Sequence, residues 1–300
     1  MIRGYRRFST RIVLRSHENP LGIPRNRTDG KPTIPRMQRG IPEKRKLPNV
    51  DKIVAVSSAK GGVGKSTVSA NTAVALALQG KRVGLLDADI FGPSIPKLMN
   101  LQGEPRLSKN NRLIPLSNYG VKTMSMGYLV GEDAPVAWRG LMVMKALQQL
   151  IYEVEWDGLD YLVIDMPPGT GDTQLTLTQQ LVIDGAIVVS TPQDIALIDA
   201  IKGINMFHKV HVPVLGLVQN MSMFVCPNCN HESHIFGSDG AIKEAKKQNI
   251  DVLGSIPLAE AICLNSDNGI PIVIADKTGT ISKHYRDIAA TVSKKLEEEN

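Results

Sequence analysis

The residues whose types and spacing best suit chemistry lie in the segment 60–67, which reads Lys-Gly-Gly-Val-Gly-Lys-Ser-Thr. An apolar run at 53–56 precedes this segment and has the composition of a buried parallel strand. Apolar residues recur at helical spacing from Ser66 onward. A strand, a glycine-rich turn and a helix in this order predict a loop that binds phosphate through its backbone N–H groups and the positive end of the helix.

Each position of this loop has an expected contact. Lys65 is expected to reach the β- and γ-phosphates of a nucleotide, the Ser66 hydroxyl to bind Mg²⁺, and Thr67 to contact the α-phosphate. The sequence departs from the usual loop pattern, because Ala59 stands in place of its first glycine and Lys60 adds a second lysine. The remaining contacts are expected from Gly61, Gly62, Val63 and Gly64.

Polar side chains end three further predicted strands, at the sheet edge where open α/β folds bind ligands. In the sequence Asp87-Ala-Asp89, we expect Asp89 to orient an attacking water or a water on Mg²⁺. Asp87 would act likewise or cap a helix. Asp165 is expected to hold Mg²⁺ through water, and Asn220 to pair with the edge of adenine or to cap a turn.

Strands and helices alternate along the rest of the chain, which predicts an α/β fold with a doubly wound, mostly parallel sheet. Short strands beside this sheet are predicted within 106–126, and a helix over 138–152. The amphipathic stretch 281–296 predicts a solvated docking helix. The predicted sheet strands are 53–56, 82–86, 161–164, 186–189, 214–218 and 252–256.

The charge of the chain is divided unevenly between its two ends. Residues 1–50 carry a net charge of +10 and residues 51–300 a net charge of −4, so the charge of the domain gives no indication of a nucleic-acid surface. The leader is rich in arginine and serine, with no acid before Glu18, which predicts a mitochondrial transit peptide over 1–18. Residues 19–50 predict a basic Pro/Gly-rich linker without a core, and 51–300 one large domain, with no apolar run long enough to span a membrane.

Three cysteines are present, of which Cys226 and Cys229 form a Cys-Pro-Asn-Cys motif. Such a pair is compatible with redox chemistry, with zinc completed by His231 and His234, or with an iron–sulfur cluster. A cluster takes four thiolates, which two copies of the chain would supply across a two-fold axis. Cys263 lies apart from the pair, in a helical stretch, and is expected to be a core or half-buried thiol.

Taken together, residues 51–295 resemble the Mrp family of iron–sulfur carrier ATPases, within the deviant P-loop (MinD-like) class, and most of all its mitochondrial branch serving respiratory complex I. The Arg-rich leader, and the absence of cysteines before Cys226, favour that branch. The motifs that carry the resemblance are Lys60–Ser66, Asp87–Ser94, Trp138–Gly140, Asp165–Asp172, Thr191–Asp194, Gln219–Ser222 and Cys226–Cys229.

The resemblance implies a homodimer in the mitochondrial matrix that binds ATP and Mg²⁺, carries a labile [4Fe–4S] cluster on Cys226 and Cys229, and delivers it to apoproteins such as complex I subunits. It also implies that Lys60 contacts nucleotide phosphate across the dimer, and that Lys60, Lys65, Asp89 and Asp165 support a weak ATPase activity. The resemblance is also compatible with peripheral association of the protein with the inner membrane. The alternative is a partitioning or positioning ATPase with a structural zinc site.

Overall fold

A computed structural model describes residues 44–129, 140–229, 231–238 and 240–298. The predicted transit peptide, most of the predicted linker and the Trp138-Arg139 pair lie outside these residues. All described residues belong to one unit, Gly40–Asn300.

The described chain alternates strands and helices, as the sequence predicts. The strands are β1 Val50–Ser57, β2 Val83–Asp87, β3 Leu116–Asn118, β4 Val121–Ser125, β5 Leu159–Asp165, β6 Gly185–Ser190, β7 Val214–Gln219, β8 Phe224–Val225, β9 Glu232–Ser233 and β10 Val252–Ser255. The helices are α1 Lys65–Leu78, α2 Ile95–Leu98, α3 Gly140–Tyr152, α4 Asp172–Gln180, α5 Asp194–Lys209, α6 Gly240–Gln248, α7 Glu260–Asp267, α8 Ile272–Ala275 and α9 Thr280–Glu298.

Eight of these strands form one sheet in the order β10-β7-β6-β1-β5-β2-β4-β3. Every pairing is parallel except that of β3 with β4. The predicted doubly wound, mostly parallel sheet is therefore confirmed. The short strands expected beside the sheet belong to it, because β4 pairs in parallel with β2 along its whole length.

Helices cover both faces of the sheet, and the central strand β1 shows why its sequence is continuously apolar. Ile53 and Ala55 pack into the core shared with α3, α4, α5 and α6. Val54 and Val56, which point to the other face, pack into the core shared with α1, α8 and α9. A strand buried on both faces needs an apolar residue at every position, and this is the pattern that predicted it.

The domain begins earlier than the predicted boundary between residues 50 and 51. Leu47 is buried in the core. The N–H of Arg45 donates to the Gln180 carbonyl, and the N–H of Val182 donates to the carbonyl of Arg45. The end of the predicted linker is therefore part of the fold. Its contacts are backbone hydrogen bonds with α4 and the following segment, which leave no hydrophobic periodicity in the sequence.

Helix α9, predicted as a solvated docking helix, docks through one apolar face. Tyr285, Ile288, Val292 and Leu296 are buried on the side of the sheet that also holds α1. Its lysines and glutamates form exposed ion pairs at the C-terminal end. Within the described ranges, no helix is long and apolar enough to cross a membrane.

Candidate functional site

The glycine-rich loop between β1 and α1 has the backbone shape that a phosphate cradle requires. Gly62 and Gly64 adopt φ values of 82° and 85°, a region that L side chains rarely occupy. A Cβ on Gly61 or Gly62 would meet no heavy atom within 4 Å, so the space beside the loop is open, whereas a Cβ on Gly64 would overlap the Asn220 amide. Because α1 begins at Lys65, its unpaired N–H groups and the positive end of its dipole lie at this loop.

The loop forms one wall of a cavity of about 720 Å³, a volume suited to a nucleotide. The polar wall contains Gly61, Gly62 and Gly64–Thr67, together with Asp89. The apolar part of the lining includes Leu98, Met221, Pro257–Ala259 and Ile262. A lining that holds both polar and apolar residues suits the phosphates and the base of a nucleotide.

Three of the predicted catalytic and Mg²⁺-binding groups converge at the end of β5. Lys65 Nζ lies 2.7 Å from Asp165 Oδ1, and the Ser66 hydroxyl donates to Asp165 Oδ2 at 2.6 Å. The Ser69 hydroxyl donates to the same carboxylate at 2.7 Å. Asp165 is fully buried and Lys65 nearly so. Oxygen ligands from Ser66 and Asp165 at a phosphate cradle fit Mg²⁺, a hard cation that takes few protein ligands beside those from phosphate.

The sequence analysis did not identify Ser69 as a site residue, although its spacing of four residues from Lys65 could have indicated it. Ser69 follows Lys65 by one helical turn, so both side chains lie on the face of α1 that meets β5. Its hydroxyl also donates to the Lys65 carbonyl at 3.0 Å. Ser69 therefore adds a third contact to the Asp165 carboxylate, beside those of Lys65 and Ser66.

The two aspartates after β2 have different surroundings. Asp87 is buried and accepts hydrogen bonds from the N–H groups of Asp89 and Ile95 and from the Ser125 hydroxyl, at 3.1–3.2 Å. Burial, followed by the charge of Asp165 on the neighbouring strand, raises the pKa of Asp87 to about 7. Asp87 therefore has the second of its two predicted roles, that of a helix cap, because it accepts a hydrogen bond from the N–H of Ile95, the first residue of α2.

Asp89 is the aspartate of this pair that lines the cavity. Burial raises the pKa of Asp89, and the Lys65 charge opposes that rise. Lys65 thus acts on three carboxyl groups, since its charge also opposes the rise in the pKa of Asp87 and its ammonium pairs with Asp165. Carboxylates beside a phosphate loop suit a nucleotide that arrives with Mg²⁺, because the cation offsets the repulsion between carboxylate and phosphate.

Asn220 lines the cavity, and its side-chain amide donates one hydrogen bond to the glycine-rich loop. Its Nδ2 donates to the carbonyl of Val63 at 2.8 Å, and its own N–H donates to the Ser190 carbonyl at 2.8 Å. The side chain therefore holds the phosphate loop to the end of β7. Recognition of adenine by Asn220 stays a prediction.

Lys60 lies on the outer side of the loop. It is exposed and does not line the cavity, and no described residue forms an ion pair with it. The Ser58 hydroxyl donates to its carbonyl at 2.9 Å. Lys60 is close enough to α5 to lower the pKa of Asp199, after the larger effect of Lys202. Its ammonium group is thus free to meet an anion from outside the chain.

The cysteine pair lies on a second structure, the cysteine hairpin, which consists of β8, β9 and the described residues between them (224–229 and 231–233). The N–H of Cys226 donates to the carbonyl of His231 at 3.0 Å. Backbone N–H groups of Cys229 and Asn228 point at the Cys226 sulfur and lower its pKa. Such N–H groups stabilise a thiolate, which is the form that binds metal.

The four predicted zinc ligands do not converge on one point. Among the described residues, no three His, Cys, Asp or Glu side chains are grouped as a metal site. His234 instead directs Nδ1 toward the carbonyl of Ser222, at 3.4 Å. The zinc site of Cys226, Cys229, His231 and His234 is therefore not formed in this structure, and the two thiols stand as an incomplete set of ligands.

Cys263 is exposed on α7 and lines the cavity, contrary to the expected core or half-buried position. Its Sγ lies 3.8 Å from Asp267 Oδ2. Its place in a helical stretch suggested a core or half-buried thiol, but α7 lines the cavity and none of its residues is buried.

Known proteins with similar sequences include P-loop NTPases, in agreement with the phosphate loop described above. A family described as "ParA: NUBPL iron-transfer P-loop NTPase" matches residues 49–293. The mouse iron-sulfur cluster transfer protein NUBPL is 56% identical over 262 residues, covering 87% of this chain and 82% of its own. An Arabidopsis thaliana iron-sulfur protein required for NADH dehydrogenase, mitochondrial, is 52% identical over 254 residues, 84% of this chain and 81% of its own.

A solved structure shows the same likeness in three dimensions. The nucleotide-binding protein of Archaeoglobus fulgidus, determined in complex with ADP and with Co, has a TM-score of 0.66 and 41% identity. The match covers 74% of this chain and 87% of the archaeal chain. Together with the phosphate loop and its buried Lys65–Asp165 pair, these matches establish that the chain belongs to the NUBPL iron-transfer branch of the ParA family of P-loop NTPases.

Proposed function

We propose that the protein is an ATP-dependent carrier that holds a labile [4Fe–4S] cluster on Cys226 and Cys229 and delivers it to apoproteins. The observation that carries this proposal is the cysteine hairpin, on which two thiols are exposed or half-buried and backbone N–H groups favour the Cys226 thiolate. The printed functions of the mouse and plant relatives, cluster transfer and a requirement in NADH dehydrogenase, support it. Subunits of respiratory complex I are the proposed recipients.

The cluster would be completed by a second copy of the chain. A [4Fe–4S] cluster takes four thiolates, and each chain offers two on its hairpin. Because the ligand set is symmetric, two chains related by a two-fold axis would supply equal halves. Release to a recipient then needs no change of oxidation state, since recipient thiolates replace the carrier's thiolates one by one.

ATP with Mg²⁺ would occupy the cavity beside the glycine-rich loop. Gly61–Gly64 and the N-terminus of α1 would hold the phosphates, Thr67 the α-phosphate, and Lys65 the β- and γ-phosphates. Ser66 and Asp165 would hold Mg²⁺, which neutralises phosphate charge, and Asp89 would orient water in the cavity. Lys60, outside the cavity, would reach the phosphates bound by the second copy, where an added cation stabilises the charge of the transition state.

The protein would reside in the mitochondrial matrix, with residues 1–18 as its transit peptide and the basic segment up to residue 43 as a linker. The plant relative is described as mitochondrial. Peripheral association with the inner membrane, where complex I is assembled, is compatible with the basic linker. A form lacking residues 1–18 should remain in the cytosol, and its import into the matrix without a substitute signal would contradict the transit peptide.

A transfer assay tests the carrier function. The protein is reconstituted with iron and sulfide under anaerobic conditions, desalted, and mixed with an apoprotein that needs a [4Fe–4S] cluster for activity. Wild type and Cys263→Ser should activate the recipient, and Cys226→Ser should not. Equal activation by Cys226→Ser, or by the same amount of free iron and sulfide, would contradict the proposal.

A further inference from the structure

A second cavity lies at the edge of the sheet opposite the glycine-rich loop. Its volume is about 300 Å³, at the lower end of the range for small-molecule sites. Its lining comes from the approach to β1, from the end of α3 with the turn that follows, and from a short hairpin closed by the bridge of Leu107 with Leu113. The eight residues of β1 separate it from the glycine-rich loop, a distance of about 25 Å.

Backbone hydrogen bonds hold the walls of this second cavity together. The N–H of Leu113 donates to the carbonyl of Glu153 at 2.8 Å, and the N–H of Glu155 donates to the carbonyl of Leu113 at 2.9 Å. On the side of β1, the N–H of Leu159 donates to the carbonyl of Asn49 at 2.8 Å. The walls are therefore fixed by the main chain, so the second cavity is formed before any ligand arrives.

Two neighbouring residues of its lining carry buried polar atoms without a partner. Trp156 is 4% exposed, and among the described residues neither its Nε1 nor Glu155 Oε2 has a hydrogen-bond partner. The six-membered ring of Trp156 lies against Gly84 of β2, where an added Cβ would lie 3.0 Å from its Cζ3. The indole N–H is thus on the ring edge away from that strand. A buried donor and a buried carboxylate oxygen are costly when unpaired, which indicates a ligand that pairs with both.

The charged groups at the second cavity indicate which ionic groups such a ligand carries. Arg112 is exposed, and no described residue forms an ion pair with its guanidinium group. Asp157 is paired with Lys122 at 3.7 Å. One carboxylate, that of Glu155, and one guanidinium group are therefore available. The buried apolar part of the lining includes Leu47, Ile151 and Val154.

We propose that the second cavity binds a free α-amino acid with an apolar side chain. Its ammonium group would donate to Glu155, and its carboxylate would accept from Trp156 Nε1 and pair with Arg112. Its side chain would pack against the apolar lining. A zwitterion suits this arrangement because a simple cation or a simple anion would leave one of the two protein charges without a partner. The inference does not depend on the metal or the nucleotide of the proposed function.

A form of the protein with one tryptophan gives a direct readout of this binding. The sequence contains two tryptophans, Trp138 and Trp156, so Trp138→Phe leaves Trp156 as the only indole that fluoresces. Titration of this full chain with L-leucine should change the Trp156 emission until the site is saturated, and calorimetry on wild type should give the same dissociation constant. Leucinol, which lacks the carboxylate, and isocaproate, which lacks the ammonium group, should each bind at least about tenfold more weakly.

Variants assign the binding to the second cavity. Glu155→Gln and Trp156→Phe should each weaken L-leucine binding about tenfold or more in calorimetry, because each removes a hydrogen bond to a charged group. Glu153→Gln is the matched control, since Glu153 is exposed and does not line the cavity. The MgADP affinity of each variant should equal that of wild type, which checks the fold at the opposite edge of the sheet.

Each contrary result overturns the inference in a recognisable way. No saturable change of Trp156 emission at up to millimolar L-leucine would leave ordered water as the partner of the two buried atoms. Equal affinities for L-leucine, leucinol and isocaproate would contradict recognition of a zwitterion. An affinity that is unchanged in both Glu155→Gln and Trp156→Phe would place the binding elsewhere on the protein. None of these results bears on cluster transfer, so the proposed function stands or falls separately.

Discussion

The cavity and the cysteine hairpin differ in how far one chain completes them. At the cavity, Asp165 is fully buried. Its carboxylate oxygens lie 2.6–2.7 Å from Lys65 Nζ and from the hydroxyls of Ser66 and Ser69. At the hairpin, Cys229 is exposed, and within the described part of the chain no third metal ligand joins the pair.

This difference indicates which site depends on a partner. A buried, hydrogen-bonded charge cluster holds its geometry before a ligand arrives, because leaving any member unpaired would be costly. The thiol pair, half-buried at Cys226 and exposed at Cys229, has no buried charge partner and keeps coordination positions open, which suits the proposed release of a cargo. The nucleotide site is thus built by the fold, whereas the proposed cluster site would be completed by assembly of two chains.

The largest expected effect follows from breaking the buried cluster. Lys65→Ala should abolish nucleotide binding and lower the free energy of unfolding by about 3 kcal/mol, because Asp165 is left as an uncompensated buried charge. Calorimetry with MgADP and denaturant unfolding measure the two effects.

The double variant Lys65→Ala/Asp165→Asn separates these effects. It should recover most of the lost stability, because neither charge remains, but should not recover nucleotide binding. Retained nucleotide affinity in Lys65→Ala would contradict the assignment of Lys65 to the phosphates. A double variant no more stable than Lys65→Ala would contradict the charge-pair explanation.

A smaller effect is expected at Lys60, on the exposed side of the same loop. Lys60→Ala should change the free energy of unfolding by less than about 0.5 kcal/mol, as is usual for an exposed side chain. It should lower ATP turnover more than MgADP affinity, because its proposed target lies on the second copy. Lys202→Ala, an exposed lysine on neighbouring α5, serves as the control. Equal losses of binding and turnover in Lys60→Ala would make Lys60 an ordinary ligand of its own nucleotide.

The smallest effect concerns the pKa of Cys226. Since N–H groups of Cys229 and Asn228 lower that pKa, a larger fraction of Cys226 is thiolate at a given pH than in an unfolded chain. Alkylation by iodoacetamide, followed by peptide mass spectrometry across pH, should therefore give a lower midpoint for Cys226 in the folded protein than in a synthetic peptide of residues 222–233. An equal or higher midpoint in the protein would contradict the hydrogen-bonded turn.

The features that the sequence predicts correctly are those that depend on residues close together in the chain. Continuous apolar runs gave the parallel strands because both faces of the sheet are buried, and the loop at 60–67 has its glycines where φ is positive. Asp165 could be placed because a strand end fixes its position.

What the sequence did not predict depends on contacts between distant residues. Leu47 is buried beside Arg45, whose backbone pairs with Gln180 and Val182, and such pairing leaves no periodicity in the sequence. Asn220 meets Val63 across the sheet edge, and Cys263 is exposed because α7 lies at the cavity rim. None of these positions follows from the residues beside it in the chain.

The central claim is that the cysteine hairpin is half of a cluster site that a second copy completes. The most direct measurement is the iron content and the mass in solution of protein reconstituted anaerobically. Wild type and Cys263→Ser should hold about four irons per dimer, and Cys229→Ser should lose iron and the cluster-linked dimer together while still binding MgADP. Full iron retention by a monomeric Cys229→Ser protein would contradict the account.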